Sequence, residues 1–256
     1  MSKLDPQFIP LWHSFGRVHA YILEDKQGLT LIDSLLDNHA RTIFTAIESL
    51  GRKPKDLQRI ILTHAHATHV KGAAALKDAS GAPVFAPIEE QDIFEGKRTS
   101  NRTTLIPHRP FRILPQQYLL NLQNYLWNLH IRPAILNIIP FKVDHPILND
   151  FEQIGPVITF RTPGHSPGST SFYWPETATL FTGDILVTWP KLELGWRGLT
   201  ESRAQNLASV RRLVAIFEAR NWPIRRFASG HGDPYQTQDG IADFKRLLAE
   251  VGYPQP

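Results

Sequence analysis

Three histidines lie within six residues of one another in the stretch Thr63-His64-Ala65-His66-Ala67-Thr68-His69. The stretch directly follows the apolar run Ile60-Ile61-Leu62, which is typical of a buried strand. Because side chains alternate along extended backbone, His64 and His66 should point to the same side. His69 falls where the sequence begins to favour a helix. The spacing therefore predicts a metal site, with two ligands from a strand end and a third from the start of a helix.

Further ligand-type residues follow three later strands, each next to glycine or proline. Imidazoles and carboxylates bind Zn²⁺ at neutral pH, and a carboxylate can bridge two ions. The chain has no cysteine, so thiolate ligands are excluded. The sequence predicts a hydrolytic site for one or two metal ions, with the candidate ligands His64, His66, His69, His165, Asp184 and His231. The histidines without this context, interpreted as surface or packing residues, are His13, His19, His39, His108, His130 and His145.

The elements that must position these residues are short strands and amphipathic helices. Strands are predicted over residues 18–23, 29–32, 57–62, 84–86, 157–162, 169–174, 178–181 and 224–228. Helices are predicted over residues 43–50, 70–79, 87–94, 207–217 and 241–251. Gly51 is the expected cap of the first helix, and Ser202 with Gln205 forms a capping box before the fourth. Each half of the chain has strands followed by helices, which predicts two β-sheets packed face to face, with helices outside and one site at their shared edge.

Composition and charge are those of an ordinary globular protein. The 256 residues are enough to bury a sizeable core without disulfides. The formal net charge is +4, and basic residues form no long run, so no nucleic-acid partner is expected. The N-terminal residues lack a signal-peptide apolar core, and no apolar run reaches the roughly 18 residues of a membrane span. A cytoplasmic location is therefore expected.

Residues 97–140 differ in character from the rest of the chain. They begin polar and basic and then become Leu-rich, with helical spacing of Leu119, Leu122, Leu126 and Leu129. We interpret them as an inserted helical cap or lid region within a single domain of residues 1–256. A helical hairpin packed on the body, a lid over a substrate pocket and a homodimer face all fit this pattern. A helix lying on a membrane surface fits it least, because the segment has many amides and few lysines.

Four short motifs occur in order along the chain. They are Thr63 to Gly72 (THAHATHVKG), Pro163 to Gly168 (PGHSPG), Gly183-Asp184 and Gly230-His231-Gly232. In this order they resemble the motifs of the metallo-β-lactamase superfamily, over roughly residues 15–95 and 140–250. The resemblance implies an α/β fold, an αββα sandwich of two packed mixed β-sheets with helices on the outer faces. Leu31-Ile32-Asp33 resembles the family's early strand, whose aspartate is usually structural or stands behind the metal ligands.

The resemblance also implies two ligand sets joined by one carboxylate. The first metal ion would be held by His64, His66 and His165. The second would be held by His69, His231 and a carboxylate that this chain lacks, with Asp184 bridging both ions.

The missing carboxylate is the main departure from the family motif. Thr68 stands where the motif has aspartate, and Lys71 stands where it has its first glycine. A neutral threonine is a weak ligand, so we expect second-site metal affinity to be weaker by about 10–100-fold or more. The first site keeps three histidines, which is the ligand set of a catalytic zinc site.

The predicted function is metal-dependent hydrolysis of a small-molecule ester, lactone, thioester or related carbonyl substrate by metal-activated water. The expected cofactor is Zn²⁺, as one or two ions, with Fe or Mn as alternatives. The candidate catalytic residues are Asp184, which would position the nucleophile, and His231. Two alternatives stay open: a catalytically degenerate metal- or ligand-binding member of the fold, and a mononuclear iron oxygenase. Trp189 and Trp196 are candidate walls of the substrate pocket.

Overall fold

The computed structural model describes residues 7–13, 16–99, 137–196 and 199–251. Most of the predicted insertion, residues 100–136, lies outside the described residues together with His108 and His130. Its role as a helical cap, lid or dimer face, and the single-domain assignment of residues 1–256, therefore stay predictions. Within the described ranges, no helix has both the length and the apolar character needed to cross a bilayer.

In the described part of the chain, two six-stranded mixed β-sheets form the centre of the fold. Sheet I contains β1 (Gln7–His13), β2 (Gly16–Asp25), β3 (Gly28–Ile32), β4 (Leu57–Ile61), β5 (Val84–Pro87) and β6 (His145–Ile147). Sheet II contains β7 (Gln153–Ile154), β8 (Val157–Arg161), β9 (Thr170–Trp174), β10 (Thr179–Gly183), β11 (Arg226–Ser229) and β12 (Tyr235–Gln236). In each sheet, strands that are neighbours in sequence are neighbours in space.

Six α-helices are present in the described residues: α1 (Arg41–Ser49), α2 (Ala67–Val70), α3 (Ala73–Ser80), α4 (Gln91–Phe94), α5 (Arg203–Ala219) and α6 (Gly240–Glu250). The predicted N-cap of α5 is confirmed, since the Ser202 hydroxyl accepts a hydrogen bond from the Gln205 amide at 3.3 Å. The reciprocal bond of the predicted capping box is not formed, because the Ser202 amide donates to the Gly164 carbonyl at 2.8 Å. The prediction of one continuous helix over residues 70–79 is wrong. The chain instead changes helix at Gly72, where any side chain would lie 2.5 Å from the Ser34 carbonyl oxygen.

Three apolar layers hold the sheets and helices together. In β9, Phe172 and Trp174 pack between the two sheets, whereas Tyr173 packs outward against α5 and α6. In β10, Phe181 likewise points inward and Leu180 outward. A third layer fills the space between sheet I and helices α1 and α3. This alternation, which follows from the two-residue period of a strand, confirms the αββα sandwich.

The strands that precede the candidate ligands all end at the same edge of the sandwich. β3 and β4 are parallel, as are β10 and β11, and β8 points the same way because it is two antiparallel steps from β10. The sheets are joined at this edge by backbone hydrogen bonds, from the Thr170 amide to the Thr63 carbonyl at 3.0 Å and from the His19 amide to the Gly230 carbonyl at 2.9 Å. The loops that leave this edge are therefore brought together.

Candidate metal centre

All six candidate ligands lie together at this edge in one buried cluster. Two come from the loop after β4, one from α2, and one each from the loops after β8, β10 and β11. None has more than 6% of its surface exposed. In chain order they are His64, His66, His69, His165, Asp184 and His231.

Asp184 lies at the centre of the cluster. Its Oδ2 is 3.3 Å from His231 Nε2, 3.5 Å from His165 Nε2 and 3.9 Å from His64 Nε2. Its Oδ1 is 3.5 Å from His69 Nε2. The ligand atoms form two groups that share this carboxylate, His64, His66, His165 and Asp184 in one and His69, Asp184 and His231 in the other. This division is the one that the motif positions imply.

The donor atoms at the centre fit a divalent metal ion. His64 Nε2, His69 Nε2 and Asp184 Oδ1 are buried and have no hydrogen-bond partner among the described residues. Leaving such atoms unpaired costs about 1–3 kcal/mol each, so their convergence needs a compensating ligand. Imidazole nitrogens and a carboxylate oxygen are the ligands that Zn²⁺ takes, and they also suit iron and manganese.

Asp33, at the end of β3, orients two of the histidines. Its Oδ2 accepts hydrogen bonds from the Thr63 hydroxyl at 2.9 Å and from His69 Nδ1 at 3.1 Å. Since the Thr63 hydroxyl gives its only proton to Asp33, its oxygen accepts from His64 Nδ1, 2.9 Å away. In the neutral form, both imidazoles therefore carry their proton on Nδ1 and present the Nε2 lone pair to the cluster, which is the tautomer a metal ligand needs.

Burial sets the charge state of most of the imidazoles. It lowers the pKa values of His64 and His66 well below the ordinary value and that of His165 to about 4. These three side chains are therefore neutral at pH 7, the form that binds a metal ion. Burial would also lower the pKa of His69, but the charge of Asp184 and the hydrogen bond and charge of Asp33 raise it to about 10, so in the metal-free protein this imidazole is protonated and a metal ion must displace its Nε2 proton.

Asp184 itself is ionised. Burial alone would raise its pKa, but the charges of His231, His69 and His165 outweigh burial and hold the pKa well below its ordinary value. A negative charge therefore lies between the two groups of imidazoles, at the position where one carboxylate would bind both metal ions.

The departures from the family motif lie at the side of the cluster. Thr68 is in α2 and is partly exposed, between two buried ligands. Lys71 follows α2, is 6% exposed, and has a pKa lowered by burial. Among the candidate pocket walls, Trp196 is buried with its ring 4.8 Å from that of His231, and the Trp189 ring is 6.3 Å from that of Trp196. The described residues therefore place an aromatic wall on the His231 side.

Sequence reasoning missed Glu90, which lies behind the cluster and is 1% exposed. Its carboxyl group accepts hydrogen bonds from the amides of Ala65 and Gly168. An acidic residue in a short acidic segment carries no local signal of burial, so no pattern in the sequence could have identified it.

Of the histidines set aside, His19 is buried and 3.5 Å from Asp233, and lies outside both ligand groups. Others on the described surface are His39 and His145.

Comparisons with known proteins agree with this geometry. A family model described as the metallo-beta-lactamase superfamily matches residues 13–220. The Bacillus subtilis (strain 168) protein YobT is 32% identical over 65% of this chain, and a hydroxyacylglutathione hydrolase of Bartonella tribocorum is 27% identical over 82%. The chain spans 61% of the length of each of these two relatives.

Solved structures show the same fold. The metallo-beta-lactamase family protein TTHA1429 from Thermus thermophilus superposes with a TM-score of 0.67 at 20% identity, covering 98% of this chain and 80% of that protein. The B3 metallo-beta-lactamase BLEG-1 superposes with a TM-score of 0.65 at 23% identity, covering 97% of this chain and 100% of that protein.

Proposed function

The chain belongs to the metallo-β-lactamase superfamily, and we propose on this premise that it is a metal-dependent hydrolase whose active site is the cluster around Asp184. The observation that carries the proposal is that His64 Nε2, His69 Nε2 and Asp184 Oδ1 are buried in this cluster with no hydrogen-bond partner among the described residues. Fold alone would not carry it, because one fold hosts many functions. The side-chain chemistry at the sheet edge supports hydrolysis.

The proposed metal ligands divide as the geometry does. The first ion would be held by His64, His66, His165 and Asp184, and the second by His69, Asp184 and His231. Zn²⁺ is the proposed ion, with Fe and Mn as alternatives. When bound in such a site, the ion supplies a hydroxide nucleophile at neutral pH and polarises the substrate carbonyl.

The protein's own groups would orient the reaction. Asp184 is ionised and its Oδ1 has no hydrogen-bond partner among the described residues, so this oxygen can accept a hydrogen bond that orients the attacking water. His231 is the second proposed catalytic residue, and its Nε2 is 3.3 Å from Asp184 Oδ2. Trp196 packs on the His231 ring and would exclude bulk water from that side of the substrate.

We further propose that the second site binds its ion more weakly than the first. The first group has three imidazoles and a carboxylate, whereas the second has two imidazoles and the same, shared carboxylate. Thr68 brings a neutral hydroxyl where the family motif has a second negative charge. An affinity difference of about 10–100-fold is the expected scale.

The proposed substrates are small-molecule esters, lactones or thioesters. One relative is named for hydrolysis of a hydroxyacylglutathione, which supports an acyl-transfer reaction to water. Identifying the acyl and leaving groups needs a substrate panel.

Metal analysis of protein purified without chelators, together with a panel of lactone, thioester and nitrocefin-type substrates, tests the proposal. We expect at least one equivalent of zinc and turnover that the His64→Ala, His66→Ala double variant loses. The control is His145→Ala, which removes an exposed imidazole outside the cluster and should keep full activity. No turnover above that of the double variant would overturn the hydrolase proposal. Iron in place of zinc, with oxygen consumption, would favour the oxygenase alternative.

The weakness of the second site has its own test. Thr68→Asp restores a carboxylate at the motif position and should raise the affinity for the second metal ion by about 10–100-fold. Thr68→Asn introduces a side chain with the shape of aspartate but without its charge, and it serves as the matched control. Equal second-site affinity in the wild-type protein and in Thr68→Asp would contradict the proposal.

A further inference from the structure

One buried side chain connects the two loops that supply the histidines of the first ligand group. Glu90 ends the 3₁₀ turn Ile88–Glu90 that follows β5, and only 1% of its surface is exposed. It is in neither group of potential metal ligands. Burying a carboxyl group is costly unless its oxygens are paired, so its partners explain why it is there.

The partners of Glu90 all flank metal-ligand candidates. Oε2 accepts a hydrogen bond from the amide of Ala65, the residue between His64 and His66. Oε1 accepts from the amide of Gly168 at 3.1 Å, in the loop that begins with His165.

The two loops that meet on Glu90 belong to different sheets. The Ala65 loop leaves β4 in sheet I, and the Gly168 loop leaves β8 in sheet II. Glu90 comes from a third segment, so its carboxyl group spans the gap between them. His69 and His231 belong to the second group. In the described structure, Glu90 makes no hydrogen bond to the elements that carry them.

The loop that contains Gly168 is packed tightly against Glu90. Gly168 approaches Glu90 so closely that a Cβ at position 168 would lie 2.8 Å from Glu90 Cγ and 2.9 Å from Pro87 Cβ. The position of the His165 loop is therefore set from two directions, by a hydrogen bond to Glu90 and by contact with its side chain.

We propose that Glu90 is a positioning residue that sets the separation of the His64/His66 loop from the His165 loop and thereby the affinity of the first metal site. The inference rests on the proposed metal centre. It assigns to Glu90 no contact with the metal ion or the substrate. Residues that orient metal ligands from behind typically change metal affinity by about 10–100-fold when they are replaced.

Glu90→Gln is the informative substitution because it keeps the volume and changes one atom. The amide NH₂ must face either the Ala65 amide or the Gly168 amide, and both of these groups are donors. One hydrogen bond is then lost and two donors oppose each other, which pushes one loop away. The other loop keeps its bond, so the fold should persist while the ligand spacing changes.

The experiment measures Zn²⁺ affinity by competition with a chromophoric chelator. It uses the His231→Ala background, in which only the first ligand group is complete. We expect Glu90→Gln to lower the affinity by about 10–100-fold, with little change in the melting temperature of the metal-free protein. The matched control is Asp144→Asn, which also removes a carboxylate that accepts a backbone amide of β5, from Val84 at 2.9 Å. This control should leave Zn²⁺ affinity unchanged.

A second variant approaches the same contact from the other side. Gly168→Ala keeps the Glu90 carboxylate but displaces it, and should weaken the first site to a similar extent. Because both substitutions act on one contact, the double variant should bind Zn²⁺ with about the affinity of the single variant that binds it less tightly.

The outcomes separate the inference from the proposed function. If the wild-type protein binds no metal, the proposed function fails. If the wild type binds zinc and Glu90→Gln binds it equally well, or no worse than Asp144→Asn, only the inference is overturned. If Glu90→Gln and Gly168→Ala both lose the fold by circular dichroism, Glu90 is a residue of the fold and the positioning role is also overturned.

Discussion

Replacement of Gly230 by alanine should weaken metal binding strongly while leaving most of the fold intact. Gly230 separates β11 from His231, and its backbone lies against the centre of the cluster. A Cβ at this position would be 2.2 Å from Asp184 Oδ1 and 2.6 Å from the Cε1 atom of His69. Gly230 is not among the residues with positive φ, so the glycine is required by this close approach and not by backbone conformation.

The size of the effect follows from these two distances. Ordinary contact begins near 3.4 Å, so Asp184 Oδ1 must move by about 1.2 Å and the His69 ring by about 0.8 Å. Metal–ligand distances tolerate only about 0.2 Å. Because Asp184 belongs to both ligand groups, both sites lose a ligand. We expect Zn²⁺ affinity to fall by about 100-fold or more, and kcat/KM by about 100-fold or more.

The assay is a Zn²⁺ titration of Gly230→Ala against a competing chelator, with urea unfolding of the metal-free protein. Gly81→Ala is the matched control, since a Cβ there meets no atom within 4 Å. Its φ of +75° makes alanine cost about 1 kcal/mol of unfolding free energy, with no effect on metal binding. Wild-type affinity for zinc in a stably folded Gly230→Ala protein would refute the reasoning.

Three further substitutions test the surroundings of the site and the sheets. Asp33→Asn places an amide NH₂ group against the donors that now bond to the Asp33 carboxylate, including His69. Zinc affinity should fall about 10–100-fold, and the unfolding free energy of the metal-free protein by about 1–3 kcal/mol. An unchanged zinc titration would contradict this expectation. Burial raises the pKa of Asp144, but hydrogen bonds from Lys77 and a backbone amide outweigh it and hold the pKa below its ordinary value. Asp144→Asn should therefore cost about 1 kcal/mol at pH 7, and the difference should vanish as the pH falls from about 4 through the lowered pKa; equal unfolding curves at pH 7 would count against it. Tyr21→Phe removes a buried hydroxyl that donates to a carbonyl of the opposite sheet at 2.6 Å, and urea unfolding should show a loss of about 1–2 kcal/mol, whereas no loss would contradict the pairing.

Local patterns in the sequence were sufficient to locate the central strands, most helices and the candidate ligands, but they missed the four edge strands β1, β6, β7 and β12 of the described sheets. The strand predicted over residues 169–174 is β9, in which Phe172 and Trp174 lie in one apolar layer and Tyr173 in another. The cap at Ser202 was equally visible. These features depend on residues a few positions apart, because strand and helix periods and capping hydrogen bonds are local.

The tertiary structure decided how the ligands are held. Asp33 reaches His69 across 36 positions, and Glu90 reaches Gly168 across 78. The break of the predicted helix likewise comes from distant groups, because the Lys71 amide donates to the Leu35 carbonyl and the His69 carbonyl accepts from the Ser34 hydroxyl, each at 3.0 Å. No local pattern distinguishes a carboxyl group buried behind a metal site from one in solvent, since the difference lies in partners that only the folded chain brings within hydrogen-bond distance. The sequence therefore determined which groups could bind a metal ion, and the packing of two sheets determined what orients them.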